Sequence, residues 1–452
     1  MSVQGHAPAR GSDWMRAAVA AGVLLPLFFL LSGRLYDSEV PLYDSGGRID
    51  SLPLPLSLPV CVVGILLFRK NLRYAWAAAV FILAFAAVLA MSVFSAADTA
   101  GFSARKAILA GQFLLPTLGL LLGQLLDDDE QLVPRAFFCL LAVFVPLQLL
   151  AGWLQGSLFL THRLYGFSIY QHFQFVPVIF VAAYCWVLGS PRVTGRRSKL
   201  LLTAGMAIYA ISSVSFLAIA LFATGTLAYW GMQGRREKEE AGRGRNSFMP
   251  LLALILIASA VLVVAAGRGI DIRHAGGQVF GKVTALAEGK LPLNVVERLE
   301  DWSRFGSGIA ESPRSVLFGH AEPLPREVRT SAHNWYLDLA YNFGTLALLP
   351  LLGLIAASVR LAWTGRAGLD SHICWLGGIV LFLVLVDANF KVMLRQPYPG
   401  LFSFFLWGLL LAKLRKLSQP GGALRRSRDK VVPPAMQEGS SRTPRTRFQV
   451  LP

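Results

Sequence analysis

The strongest constraint in this sequence is a recurrence of apolar blocks, each roughly 17 to 27 residues long, parted by short polar stretches. At 1.5 Å per helical residue such a block crosses a ~30 Å hydrocarbon core. A helix also satisfies its own backbone N–H and C=O groups where no water can reach them. A soluble chain of this size would show amphipathic helices and alternating strands instead. The fold class that follows is an all-α polytopic membrane protein. The blocks fall near 15–32, 52–68, 74–94, 107–126, 135–153, 173–189, 199–212, 214–231, 249–266, 333–358, 373–390 and 400–414, which makes about twelve transmembrane helices. The seventh and eighth form one run, too long for a single span and short for two, and Ile211-Ser212-Ser213 is the turn expected to divide it. The first block has no small-x-small cleavage site behind it, so it reads as a retained span and not as a signal peptide.

A net charge of +17 would suit a nucleic-acid binder, but the Lys and Arg residues sit mainly between the spans and in the C-terminal tail. Topology accounts for them. With the N-terminus in the cytoplasm, "RKNLR" (69–73), "PRVTGRRSK" (191–199), "GRREKEEAGRGR" (234–245) and the tail from Lys413 all lie inside, as short basic loops should. The acidic "LDDDEQLVPR" loop also falls inside, and acidic residues carry little weight in this rule. The outer face then receives 33–51, 95–106, 154–172, 267–332 and 391–399. The organisation is one transmembrane domain, 1–416, with its largest outside loop at 267–332 between spans 9 and 10. A basic, Arg-, Ser-, Pro- and Gly-rich tail, 417–452, reads as a disordered cytoplasmic segment able to meet anionic lipid. The cysteines (Cys61, Cys139, Cys185, Cys374) lie in or beside apolar blocks without metal-ligand spacing, and read as small buried hydrophobes.

One block is unlike the rest. "RTSAHNWYLDLAYNFGTLALLPLL" (329–352) begins with His333, Asn334, Tyr336, Asp338, Tyr341 and Asn342 before turning apolar. Taken as one helix from Ala332 to Ser358 it would measure roughly 40 Å, longer than the hydrocarbon core. Its first turns are expected at headgroup depth on the outer face or in a protein-walled cavity, with Thr330 and Ser331 capping the start and free N–H groups favouring an anion. An interfacial belt would explain the Trp and Tyr but not the His, Asn and Asp.

Cations gather on the same side. Arg163 lies in "LTHRLYGFSIYQH" and Arg298 opens "RLEDWSRFGSGIAESPRSVLFGHAEP", with Trp302 and Phe305 on the following turns. Arg304, Arg314, Arg326, Arg329 and Arg395 complete the set. Outside loops are ordinarily poor in Arg. A diphosphate would explain the departure, because a guanidinium fork matches phosphate oxygens in bidentate geometry. Arg314 and Arg326 read as solvated or carboxylate-paired; Arg163 and Arg298, flanked by aromatics and close to spans, read as functional.

With these residues in view, "SAHNWYLDLAYNFGTLALLPLL" resembles the hallmark of the O-antigen ligase and O-antigen polymerase superfamily, in which a His-Asn pair opens the span after the large periplasmic loop. "RLEDWSRFGSGIAESPRSVLFGHAEP" resembles that family's loop, and "RLYGFSIYQHFQFVPVIF" its earlier outside loop. The resemblance implies transfer of a glycan from an undecaprenyl-diphosphate-linked donor to an acceptor hydroxyl, on a glycan, on lipid A-core or elsewhere, at the periplasmic face of the bacterial inner membrane. It implies that Arg163 and Arg298 hold the diphosphate and that His333 acts at the acceptor hydroxyl. Arg304, Asn334, Tyr336, Asp338, Arg329 and Arg395 are the further substrate-binding candidates. The reaction expected is metal-independent and inverting, without a cofactor: fixed cations stabilise the leaving charge and a His of ordinary pKa near ~6.5 accepts the proton. Many members carry a Ser-Arg pair at the start of the eighth span, where this chain has Phe216. Arg304, Arg329 and Arg395 are the candidates to replace that cation.

The alternative is a secondary transporter, with Asp387, Asn389 and Lys391 at the end of the eleventh span lining a path. Transporters usually place such groups at the midplane of two matching halves, whereas here the polar residues gather at one face.

Overall fold

A computed structural model describes residues 10–28, 57–67, 75–126, 131–154, 163–164, 169–170, 175–190, 193, 195–213, 215–241, 281, 284–285, 287–291, 293–324 and 331–418. Its helices are α1 (Arg10–Leu24), α2 (Ser57–Leu67), α3 (Trp76–Ala100), α4 (Ala104–Leu114), α5 (Leu118–Leu125), α6 (Leu132–Leu154), α7 (Val176–Gly189), α8 (Arg196–Ser212) and α9 (Phe216–Ala241). They continue with α10 (Leu293–Ile309), α11 (Pro313–Phe318), α12 (Trp335–Phe343), α13 (Leu349–Thr364), α14 (Ser371–Leu381) and α15 (Pro397–Ser418). A two-residue antiparallel ladder pairs Arg163 with Tyr170 and Leu164 with Ile169. Among the described residues, five helical stretches are long and apolar enough to cross a membrane: Trp76–Ala97, Ala104–Leu125, Leu132–Leu150, Thr345–Thr364 and Ser371–Phe390. The all-α membrane class stands on these. Three shorter apolar helices, Trp14–Leu27, Val176–Gly189 and Phe216–Met232, accompany them.

The bundle is built around α15, which is buried on nearly every side along its length. Its closest partner is α5, and glycines set the distance. A Cβ on Gly119 would lie 2.3 Å from the Leu401 carbonyl oxygen, one on Gly123 2.0 Å from that of Phe405, and one on Gly408 2.2 Å from that of Leu120. Lipid tails are as apolar as Leu, so membrane helices associate through such close backbone packing more than through burial from water. Aromatic rings hold the remainder of the core together. Phe28, just past α1, meets Phe137 of α6 at 5.6 Å, Phe180 of α7 at 5.2 Å and Phe402 of α15 at 5.5 Å between centroids, all edge-on. The outward faces carry the opposite signature: Leu83, Phe94, Val359 and Trp363 stand exposed on α3 and α13. In water such a belt would aggregate; in lipid it is the expected surface.

Local chemistry explains where helices stop. α3 runs without Gly or Pro through 25 residues and ends at Gly101, whose φ of 81° lies in the left-handed region. Ser103 caps α4 by accepting the Lys106 amide. The expected span 107–126 is broken by Pro116, which ends α4 and passes through a 3-10 turn, Leu115–Thr117, into α5. α8 ends at Ser212 and α9 opens at Phe216, so the chain turns at the expected point. The expected span 249–266 lies outside the described residues, as does the tail beyond Ser418. All four cysteines are free; Cys61 and Cys185 are buried as expected, Cys139 is partly buried and Cys374 is exposed.

The expectation of one continuous helix from Ala332 to Ser358 is corrected. Helix α12 stops at Phe343, and Gly344 turns the chain at φ 81° into a 3-10 turn, Thr345–Leu348, before α13 begins. The reason is contact with α11. A Cβ on Gly344 would fall 2.0 Å from the Leu317 carbonyl oxygen, and one on Gly319 (φ 73°) 2.4 Å from the Asn342 carbonyl carbon. Only glycine fits either position by conformation and by space. His320 N–H donates to the Tyr341 carbonyl at 3.0 Å, and Thr345 Oγ1 donates to the Val316 carbonyl at 2.8 Å. The loop helix α11 is thereby stitched across the break, and the polar head of the expected span becomes a separate short helix.

Candidate functional site

Helix α12 begins two residues later than expected, and Asn334 caps it in place of Thr330 or Ser331. The Asn334 Oδ1 accepts from the Tyr336 and Leu337 amides at 3.0 and 3.2 Å. Two of the four N-terminal N–H groups are thus already satisfied by protein, and the helix start is less available to an anion than expected. His333 sits just outside the helix, half-buried, with φ 48°. For a residue other than glycine this left-handed conformation costs on the order of 1–3 kcal/mol, and such strain gathers at functional positions. Its amide reaches Ser331 Oγ at 3.4 Å. Because His333 is not helical, it does not continue the helix face that carries Tyr336 and Ala340.

The polar groups of α12 meet the end of the Ser371–Phe390 span. There the helix widens into a π-helical segment, Phe382–Asp387. Such a bulge leaves carbonyls for side chains to use and is frequent at functional sites. Tyr336 Oη donates to the Val384 carbonyl at 2.5 Å, and Asn389 Nδ2 donates to that of Leu385 at 2.5 Å. Asn334 Nδ2 in turn donates to Asn389 Oδ1 at 3.1 Å. One turn apart, Lys391 Nζ lies 3.1 Å from Asp387 Oδ1, with both side chains almost fully buried.

Helix α10 brings the loop to the same place. Arg298, Trp302 and Phe305 recur at spacings of four and three residues, hence on one face. Phe305 is buried against Tyr341 with ring centroids 4.8 Å apart, and Trp302 meets Phe390 at 6.0 Å. Arg298, partly buried on the same face, is held in electrostatic reach of Asp387. Burial lowers its pKa from the ordinary arginine value, and the Asp387 carboxylate opposes that shift. Arg298, Asp387, Lys391, Asn389 and Asn334 therefore form one polar cluster where the loop helix, the short helix and the span end converge, with His333 adjacent in the chain.

The remaining expected residues are placed differently. Arg395 and Asp338 form an ion pair with each other, and the Arg395 guanidinium lies 5.9 Å from the Phe113 ring centre. Arg304 is exposed, six residues along α10 from Arg298 and so on another face. Arg163 lies in the short ladder beside Tyr170, and its side chain is outside the described residues, as are Arg326 and Arg329. Arg314, expected to be solvated or carboxylate-paired, is partly buried, and its Nη2 donates to the Ser95 carbonyl at the end of α3. Phe216 stands half-exposed at the start of α9.

Asp387 and Lys391 were legible only as ionisable groups at a span end, and the sequence reading assigned them to a transport path. Their spacing of four on a helix was a signal for mutual contact; their approach to Arg298, from a segment far away in sequence, was not readable. No protein-family model matches this chain, and no curated protein matches it in sequence. The arrangement can bind an anionic group at Arg298 and, from His333, can orient or deprotonate a hydroxyl.

Proposed function

We propose that the chain is a membrane glycosyltransferase of the O-antigen ligase and polymerase type. It moves a glycan from undecaprenyl diphosphate to an acceptor hydroxyl at the periplasmic face of the bacterial inner membrane. In this reading about twelve spans carry one large periplasmic loop between spans 9 and 10, and both termini are cytoplasmic. Arg298, with Arg163, holds the diphosphate and stabilises the charge that develops on it as the glycosidic bond breaks. His333 positions the acceptor hydroxyl behind the anomeric carbon and takes its proton, so the sugar inverts without a metal.

The observation that supports the reading most is the meeting of the Arg298 face of α10 with Asn334, and so with the His333 corner, at residues 387–391. These belong to two of the three stretches on which the family resemblance rests. A deletion strain tests the function. Loss of long-chain surface glycan with lipid-linked single units accumulating identifies a polymerase, and the same loss with long lipid-linked polymers accumulating identifies a ligase. Unchanged surface glycan and unchanged lipid-linked pools contradict the reading.

The buried Asp387–Lys391 pair also favours a second reading, a secondary transporter, since intramembrane ionisable pairs commonly mark ion paths. Solute flux in proteoliposomes that stops on charge removal at this pair, with no glycan transfer detected, would select it.

A further inference from the structure

The Asp387–Lys391 pair has no obvious place in a stable membrane core. Its side chains are 0% and 7% exposed, and taking two charges out of solvent costs more than their attraction commonly returns. An apolar pair would pack there at no such cost. Three further contacts converge on it. Lys391 Nζ lies 6.0 Å from the ring centre of Phe175, the residue that opens α7 directly after the loop bearing Arg163. Phe390 meets Trp302 on the Arg298 face, and Asn389 meets Asn334 beside His333. The start of α7, the Arg298 helix and the His333 corner thus meet the 387–391 segment.

We propose that Lys391 is a further cation of the phosphate-binding site, standing beside Arg298 and held by Asp387 while no ligand is bound. The inference rests on the glycan-transfer reading. A diphosphate diester carries two negative charges, one on each phosphate, and gains a third as the glycosidic bond breaks, one more than Arg163 and Arg298 offset. Two cations set side by side in a low-dielectric site repel each other, and a carboxylate near both relieves that repulsion until an anionic ligand arrives. Charge coupling is consistent with this: burial lowers the Lys391 pKa, Asp387 opposes the shift, and the charge of Arg298 lowers it further. Asp387 Oδ2 is buried and accepts no hydrogen bond among the described residues, so the carboxylate is held by charge more than by a network. The ligand recognised is a phosphate-type anion, borne by a polyprenyl lipid or free.

The test is binding by the purified full chain in detergent, with undecaprenyl diphosphate and inorganic diphosphate as separate probes. The double variant Lys391→Ala with Asp387→Ala removes the buried pair together, and an unchanged thermal transition in detergent verifies that the fold is kept. The expected result is binding weakened about tenfold or more, the loss of one charge-assisted contact. Lys391→Arg, which keeps the charge, should retain binding. Weakening for the lipid probe alone assigns the site to a lipid headgroup; weakening for both assigns it to phosphate from either source. Wild-type affinity in the double variant for both probes overturns the proposal and leaves a merely structural pair. The underlying reading fails separately: if the wild-type protein transfers no glycan while the double variant loses binding, the phosphate site stands and the transfer assignment falls.

Discussion

Arg395 and Asp338 form a buried ion pair that ties the segment before the last helix to the short polar helix α12. Both are candidates to touch substrate, and in the structure each is the other's ion-pair partner. Asp338 also lies in the first turn of its helix, where the positive end of the helix dipole favours a carboxylate.

Breaking that pair from one side should be costly. Asp338→Ala takes the carboxylate away from the Arg395 guanidinium and should lower stability by about 3–5 kcal/mol, read as the thermal transition in detergent. Asp338→Leu combined with Arg395→Met should recover most of the loss and retain glycan transfer. Transfer abolished in a stable double variant would restore Arg395 to the substrate site.

Gly344→Ala should destabilise by more than about 1 kcal/mol, since the residue combines a left-handed φ with a backbone neighbour that cannot yield. Limited proteolysis should then cut the 293–324 segment sooner than in the wild type. Unchanged stability and cleavage would mean that the break in the expected span tolerates a side chain.

Arg314 should matter for docking and not for chemistry. Its Nη2 reaches the Ser95 carbonyl, and Ser92 Oγ donates to the Phe318 carbonyl nearby. Lys106 Nζ adds a contact to the His320 carbonyl at 2.7 Å. Arg314→Ala should cost about 1–2 kcal/mol of stability and leave the catalytic rate of the remaining folded protein within a few-fold. A rate loss at full stability would place Arg314 in the site.

Chelators should leave transfer unchanged, because the proposed site neutralises phosphate with guanidinium and ammonium groups. Strict dependence on a divalent ion would contradict the Arg- and Lys-based account.

The membrane class was legible because lipid imposes a length and a composition on every span, and both survive in one dimension. The turn at Ser212–Ser213 was legible for the same reason: the run did not fit a single crossing. The break at Gly344 was not, although its glycine was visible. Its cause is the Leu317 carbonyl, which approaches only once α11 has docked. Arg298 and His333 could be picked out as candidates from residue types misplaced for a lipid surface. The pairing of Arg395 with Asp338, and the approach of Lys391 to Arg298, depend on which segments meet in space, and local pattern carries no record of that.

The central claim is that Arg298 and His333 together perform glycan transfer. The direct measurement is transfer from an undecaprenyl-diphosphate-linked glycan by purified, reconstituted protein bearing Arg298→Ala or His333→Ala, with insertion and thermal stability verified. The account predicts that each substitution removes transfer while the protein remains folded; transfer at the wild-type rate by both variants would contradict it.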